Sequence, residues 1–185
     1  MSGKPRRIAA VLFNLGGPDT SSAIRPFLFN LFNDRNIIDL PLILRWPLAQ
    51  MIAGRRNRLA VEIYAKMGGG SPILPNTERQ AAALQAALSD LGEVRVFIAM
   101  RYWHPLTGAA VASVKAFAPD EVILLPLYPQ FSTTTTESSY RAWRSASRGR
   151  LAMPHKLVCC YPVEPGFIAA LARITEASVT AAKAA

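Results

Sequence analysis

Three arginines, Arg55, Arg56 and Arg58, cluster on a stretch that reads as a basic helix over 47–66. A guanidinium can grip a carboxylate through two parallel N–H donors, so the cluster suits a ligand that carries carboxylates. It equally suits a solvated basic helix face, and spacing alone leaves both readings open. Next comes Gly68-Gly69-Gly70-Ser71-Pro72. A phosphate loop would need a strand before its glycines, and a Walker loop also a lysine after them. Here a helix precedes and no lysine follows. The favoured reading is a turn with positive φ angles and a close backbone approach, both of which glycine accepts cheaply.

Other candidates are sparser. Leu15-Gly16-Gly17-Pro18 follows an apolar run and is either a ligand-facing loop or an ordinary strand-to-helix turn. His104 lies in Arg101-Tyr102-Trp103-His104-Pro105, as a functional group or as a structural hydrogen-bonding residue. His155, beside Pro154 in a surface-like loop, reads as inert. Cys159 and Cys160 are adjacent in LVCCYP. Neighbours on a strand point to opposite faces, which argues against a mutual disulfide. They read as buried strand residues of a reduced compartment. No nucleophile with a nearby base and no paired carboxylates stand out.

The elements that must position these residues are legible as hydrophobic patterns. Four apolar runs, at 8–15, 94–100, 121–128 and 156–162, lack alternation and read as strands buried on both faces. In 21–34, Ile24, Phe27, Leu28, Leu31 and Phe32 share one helix face, with Pro26 in the first turn. A helix from Thr77 opens with Gln80 at capping-box spacing and closes at Gly92. Further helices are expected at 107–117, 136–147 and 165–184. Strands separated by helices imply an α/β fold with a doubly wound parallel sheet of about four strands. Ligands of such folds sit beyond the carboxyl ends of the strands.

The totals agree with one domain. The chain has 185 residues, 51% of them hydrophobic and 18% charged, enough for a real core. Twenty-one basic residues against 12 acidic give +9, which favours an anionic partner. No nucleic-acid recognition motif supports reading that charge as nucleic-acid binding. The basic, then apolar N-terminus lacks a small-residue cleavage site and reads as a first strand rather than a signal peptide.

Five stretches in order, LFNLGGPDT, LFNDRNIIDLP, IYAKMGGGSPI, AMRYWHPLT and LYPQFSTTTTESS, closely resemble the N-terminal half of ferrochelatase. The match runs from about Val11 to Ser139. Each motif alone is modest; five in order are specific. The resemblance implies a Rossmann-like chelatase domain, one of two with a porphyrin in the cleft between them. It implies insertion of Fe²⁺ into protoporphyrin IX, the last step of heme synthesis, without a nucleotide. Arg56, Tyr64 and Ser71 then match porphyrin-contacting positions, with Arg56 near a propionate. Arg101 and Tyr102 match a pair near the metal side of the pocket. Leu15 and Tyr128 match further pocket positions. Phe27, Leu28 and Leu31 match an apolar lip that admits substrate and can touch membrane, although part of that helix must also cover the sheet.

The departures also carry expectations. The family's Ser-Ala-His-Gly/Ser-Leu-Pro motif and its partner acid are absent from these residues, and the resemblance puts both beyond Ala185. Ala185 itself is expected to fall in a helix that links the two halves. Residues 1–185 are therefore expected to be a single N-terminal domain without the catalytic half, with no catalytic residue assigned, the metal ligands unknown, and little or no turnover. Thr133 stands where some relatives carry an iron–sulfur cysteine, so no cluster and no cofactor are expected. Protoporphyrin IX and Fe²⁺ are the expected partners, in the cytoplasm or at a membrane periphery, with self-association through the exposed cleft. Two rivals stay open: a non-catalytic porphyrin-binding or truncated remnant domain, and a relative that places cobalt in another tetrapyrrole.

Overall fold

The computed structural model describes residues 5–184. Ala185, expected in a linking helix with the catalytic groups beyond it, lies outside the described residues. Among the described residues four strands form one parallel sheet: β1 (Arg7–Asn14), β2 (Glu93–Met100), β3 (Glu121–Pro126) and β4 (His155–Leu157). Their spatial order is β2-β1-β3-β4. β1 lies between β2 and β3, with Asn14 opposite Met100 on β2 and Phe13 opposite Pro126 on β3. These three strands therefore end on one edge, with Leu15, Arg101 and Leu127 just beyond them.

Among the described residues six α-helices accompany the sheet: α1 (Ile24–Phe32), α2 (Leu42–Lys66), α3 (Ile73–Ala87), α4 (Thr107–Phe117), α5 (Ser138–Ser147) and α6 (Pro165–Ala184). Ala9, Val11 and Phe13 project from one face of β1 into the main core. They pack there with Val111 and Val114 of α4 and Trp143 of α5. A second apolar cluster joins α1 to α2 around Ile24, Phe27, Leu28, Ala53 and Tyr102.

Several expectations are corrected. The other face of the sheet is only partly covered: Ile8, Ala10, Ile123 and Leu125 line an open groove beside Leu84 of α3 and Leu88 just past its end. The helix expected at 47–66 begins at Leu42, ahead of Pro47, because Arg45 binds the carbonyls of Asn33 and Leu40 and ties the first turn down. Thr77 does not cap a helix. α3 starts at Ile73, and the Thr77 hydroxyl is buried in its second turn, donating to the Ile73 carbonyl. That helix ends at Ala87, and a 3-10 turn at Ser89–Leu91 leads to Gly92, whose φ is 126°.

The fourth strand is also shorter than expected. It spans His155–Leu157, so His155 lies on a strand, with its ring edge-on to Tyr140. Cys159 and Cys160 fall past the strand and are both exposed. The cause is local: β4 is the edge strand, pairing with only three residues of β3, and among the described residues no layer covers the two cysteines that follow it. Ahead of α5, Thr133–Glu137 forms a π-helical turn, with the Ser132 hydroxyl accepting from the Thr134 N–H.

Candidate functional site

The loops past the strands are knitted together by backbone hydrogen bonds. The Arg101 N–H donates to the Asn14 carbonyl at 2.9 Å, and the Tyr102 N–H to the Leu15 carbonyl at 3.0 Å. These continue the β1–β2 ladder beyond the sheet. The Asn14 amide holds the same corner from the other side. Its Oδ1 accepts from the Leu15 N–H, and its Nδ2 donates to Thr77 Oγ1 at 2.9 Å. One polar relay thus links the end of β1 to the start of α3.

The glycine run has a physical reason. Gly68 and Gly69 have φ angles of 94° and 93°, which release the chain from the end of α2. Gly70 then passes so close to the first loop that an added Cβ would lie 2.5 Å from the Asp19 carbonyl oxygen. The Ser71 N–H donates to the Pro18 carbonyl at 2.7 Å. The GGGSP and LGGP segments are therefore two loops packed backbone to backbone. Both features expected of the run, positive φ and close approach, are present.

The strongest polar cluster centres on Asp34, just past α1. Its carboxylate accepts from the Tyr102 hydroxyl at 2.7 Å, from the Ser138 hydroxyl, and from the Asn36 N–H at 2.9 Å. Arg101 Nη2 lies 3.0 Å from Oδ2 of the same carboxylate. Arg101 Nε also donates to Ser138 Oγ at 2.6 Å. Burial alone would raise the Asp34 pKa. The hydrogen bonds from Ser138, Tyr102 and the Asn36 N–H, with the charge of Arg101, outweigh it and hold the carboxyl below its ordinary range. Burial, reinforced by the neighbouring Asp34 charge, drives the Tyr102 phenol well above its ordinary value.

Tyr128 stands nearby, just past β3. Burial pushes its phenol up to about 12. Among the described residues its hydroxyl has no hydrogen-bond partner; the Ser139 hydroxyl approaches it without reaching bonding geometry. On α2, Arg56 is exposed and its guanidinium carbon lies 5.6 Å from the centre of the Phe32 ring. Tyr64 is half-buried against the α1–α2 cluster, and burial raises its pKa.

The ferrochelatase family model matches residues 7–185, nearly the whole chain. The chain belongs to the ferrochelatase family. Similar curated proteins carry the same name. The ferrochelatase of Caulobacter vibrioides (strain NA1000 / CB15N) is 55% identical over 176 residues, 94% of this chain and 50% of that protein. That of Phenylobacterium zucineum is 55% identical over 171 residues, 91% of this chain and 49% of that protein. That of Hyphomonas neptunium is 54% identical over 170 residues, 89% and 46% respectively. The chain spans about half the length of the curated ferrochelatases it matches.

In this ferrochelatase-family chain the residues singled out from sequence gather unevenly. Leu15, Tyr64 and Tyr102 meet in the α1–α2 cluster. Ser71 packs against Gly17 in the same corner. Arg101 and Tyr102 are joined by Asp34, whereas Arg56 stands on the exposed side of α2. Tyr102 is wholly buried. Phe27 and Leu28 face inward against α2, and Leu31 is half-buried. Exposed apolar residues of α2 include Leu42, Ile43, Leu44 and Trp46 at its start and Leu59 and Ile63 farther along. His104 is exposed, with its ring edge-on to Trp103. The Ser-Ala-His-Gly/Ser-Leu-Pro motif does not occur in these 185 residues.

Asp34, Ser138, Asn14 and Thr77 were not legible as site residues. Asp34 and Ser138 fall within the stretches LFNDRNIIDLP and LYPQFSTTTTESS, but 104 positions separate them, and no local spacing links them. Among the described residues, no group of three or more His, Cys, Asp or Glu side chains is placed to hold a metal ion. No helix among them is long and apolar enough to cross a membrane.

Proposed function

We propose that this chain is the porphyrin-binding half of a ferrochelatase that inserts Fe²⁺ into protoporphyrin IX. One observation carries the reading. The loop ends of β1, β2 and β3 and the GGGSP turn converge on one edge of a parallel sheet, in a chain matched by the ferrochelatase family over residues 7–185. Ligands of open α/β sheets bind beyond that edge.

Protoporphyrin is a flat apolar disc bearing two carboxylates. It needs apolar walls and a few basic anchors. Leu15, Tyr64 and Trp103 supply apolar surface beside the loops, and Ser71 and Tyr128 lie on the same loop ends. Arg56, exposed on α2, is the anchor for a propionate. Arg101 and Tyr102 lie on the side assigned to the metal. The base that removes the pyrrole protons is assigned to the family's histidine motif, which residues up to Ala185 do not carry. Turnover by residues 1–185 alone is therefore not expected, and Fe²⁺ enters as substrate. The exposed Leu42, Ile43, Leu44 and Trp46 support a peripheral membrane contact for delivering an apolar substrate to a cytoplasmic protein.

The test is an anaerobic titration of the purified chain with protoporphyrin IX, then Fe²⁺, following the Soret band and porphyrin fluorescence. Saturable binding that weakens in Arg56→Ala, without formation of heme, is the expected outcome. Absence of saturable binding sinks the proposal. Conversion to heme above the rate without protein would mean that the base lies within these residues.

A further inference from the structure

We infer that Asp34 is a positioning residue that fixes and neutralises Arg101, so that the cleft selects porphyrins by their number of carboxylates. The inference rests on the porphyrin-binding reading above and deepens it.

Arg101 leaves β2 at the edge where a ligand would lie, and its side chain keeps about a quarter of its surface exposed. A free guanidinium there would attract any carboxylate that reached it. It is not free. Oδ2 of Asp34 lies 3.0 Å from Nη2, and Ser138 Oγ accepts from Nε at 2.6 Å. The guanidinium carbon sits 4.9 Å from the centre of the Tyr102 ring. Asp34 is 5% exposed at its side chain, and Tyr102 and Ser138 anchor it from two other elements. The counter-charge therefore cannot swing away to solvent. The pair presents a rigid rim of nearly zero net charge.

On α2 the situation is reversed. Arg55 and Arg56 are exposed, and among the described residues neither forms an ion pair. Arg58 is paired with Glu62 one turn on. Uncompensated positive charge thus lies on the α2 side of the site and compensated charge on the Arg101 side. A porphyrin with carboxylates along one edge matches that polarity. One with carboxylates on both edges would press a carboxylate against the Asp34–Arg101 pair, where the attraction of Arg101 is already spent.

Asp34→Asn keeps the size of the side chain and removes its charge. The test compares wild type and Asp34→Asn in fluorescence titrations with protoporphyrin IX, with two carboxylates, and coproporphyrin III, with four. Phenylglyoxal labelling of the arginines, read by mass spectrometry, reports on Arg101 independently of any porphyrin. In wild type, Arg101 should label more slowly than Arg55 and Arg56. In Asp34→Asn its labelling should accelerate, and the ratio of the two Kd values should shift by about threefold to fivefold toward the four-carboxylate ligand, the scale of a partly exposed ion pair.

Equal weakening of both ligands in a folded variant would make Asp34 merely structural and overturn the inference. So would Arg101 labelling as fast as Arg56 in wild type, a comparison that needs no variant to fold. Should wild type bind neither porphyrin while Arg101 is shielded and then released as described, the porphyrin reading fails and the fixing of Arg101 by Asp34 stands.

Discussion

A side chain on Gly17 would have to occupy the space that Ser71 already fills. An added Cβ would lie 2.4 Å from Ser71 Oγ and 2.5 Å from Ser71 Cβ. Rotating the serine relieves the first contact but not the second. Gly17→Ala should therefore force the two loops apart and destabilise the chain by about 1–3 kcal/mol, the usual scale of overpacking. The double variant Gly17→Ala/Ser71→Gly should recover more than half of that loss. Urea midpoints at unchanged slope are the measurement.

Asp34 makes stability depend on acid. Its folded pKa is held below the ordinary value of 3.8, so its stabilising contribution is fully present above that value. The contribution is lost as pH falls through the lowered folded pKa. The stability gap between wild type and Asp34→Asn should therefore be flat from neutral pH down to about pH 5 and shrink below it. Urea titrations across that range check the sign. A gap that widened in acid would contradict the assigned network.

Trp143 packs at the centre of the main core, wholly buried, with its ring 6.1 Å from that of Phe13. Among the described residues its indole N–H has no partner. Trp143→Ala should cost about 3–5 kcal/mol through the cavity it leaves. Trp143→Phe should cost only about 1 kcal/mol, because losing an unsatisfied buried donor offsets part of the lost packing. Thermal and urea unfolding of the two variants would separate these outcomes.

Cys159 and Cys160 should both react with a maleimide in the native chain, without denaturant, because both are exposed past the end of β4. Mass spectrometry of the intact protein would show two adducts. Full protection would mean that the chain after β4 is covered.

Much of the fold was legible because its signals are local. Continuous apolar runs marked the cores of β1, β2 and β3, and the alternation with helices implied parallel pairing. The same locality limited the boundaries. Thr77 and Gln80 have capping-box spacing, yet α3 begins a turn earlier, because the Thr77 hydroxyl is committed to Ile73 and Asn14. LVCCYP has the composition of a buried strand, but burial depends on having a covering layer, and an edge strand three residues long has none there.

The site divides in the same way. The family was readable from the motifs alone, since five of them in order need no contact to be known. The sequence also favoured a backbone role for Gly68 and Gly69, because a positive φ is a property of a single residue, whereas the close approach of Gly70 to the Asp19 carbonyl is made by folding. The packing of α1 on α2 turns Phe27 and Leu28 inward and leaves Leu42, Ile43, Leu44 and Trp46 exposed, which no local pattern marks. Only the folded chain revealed Asp34 as the partner of Arg101, Tyr102 and Ser138. A buried carboxylate is recognised by the donors that compensate its charge, and folding brings two of those donors, Tyr102 and Ser138, from positions 68 and 104 residues away.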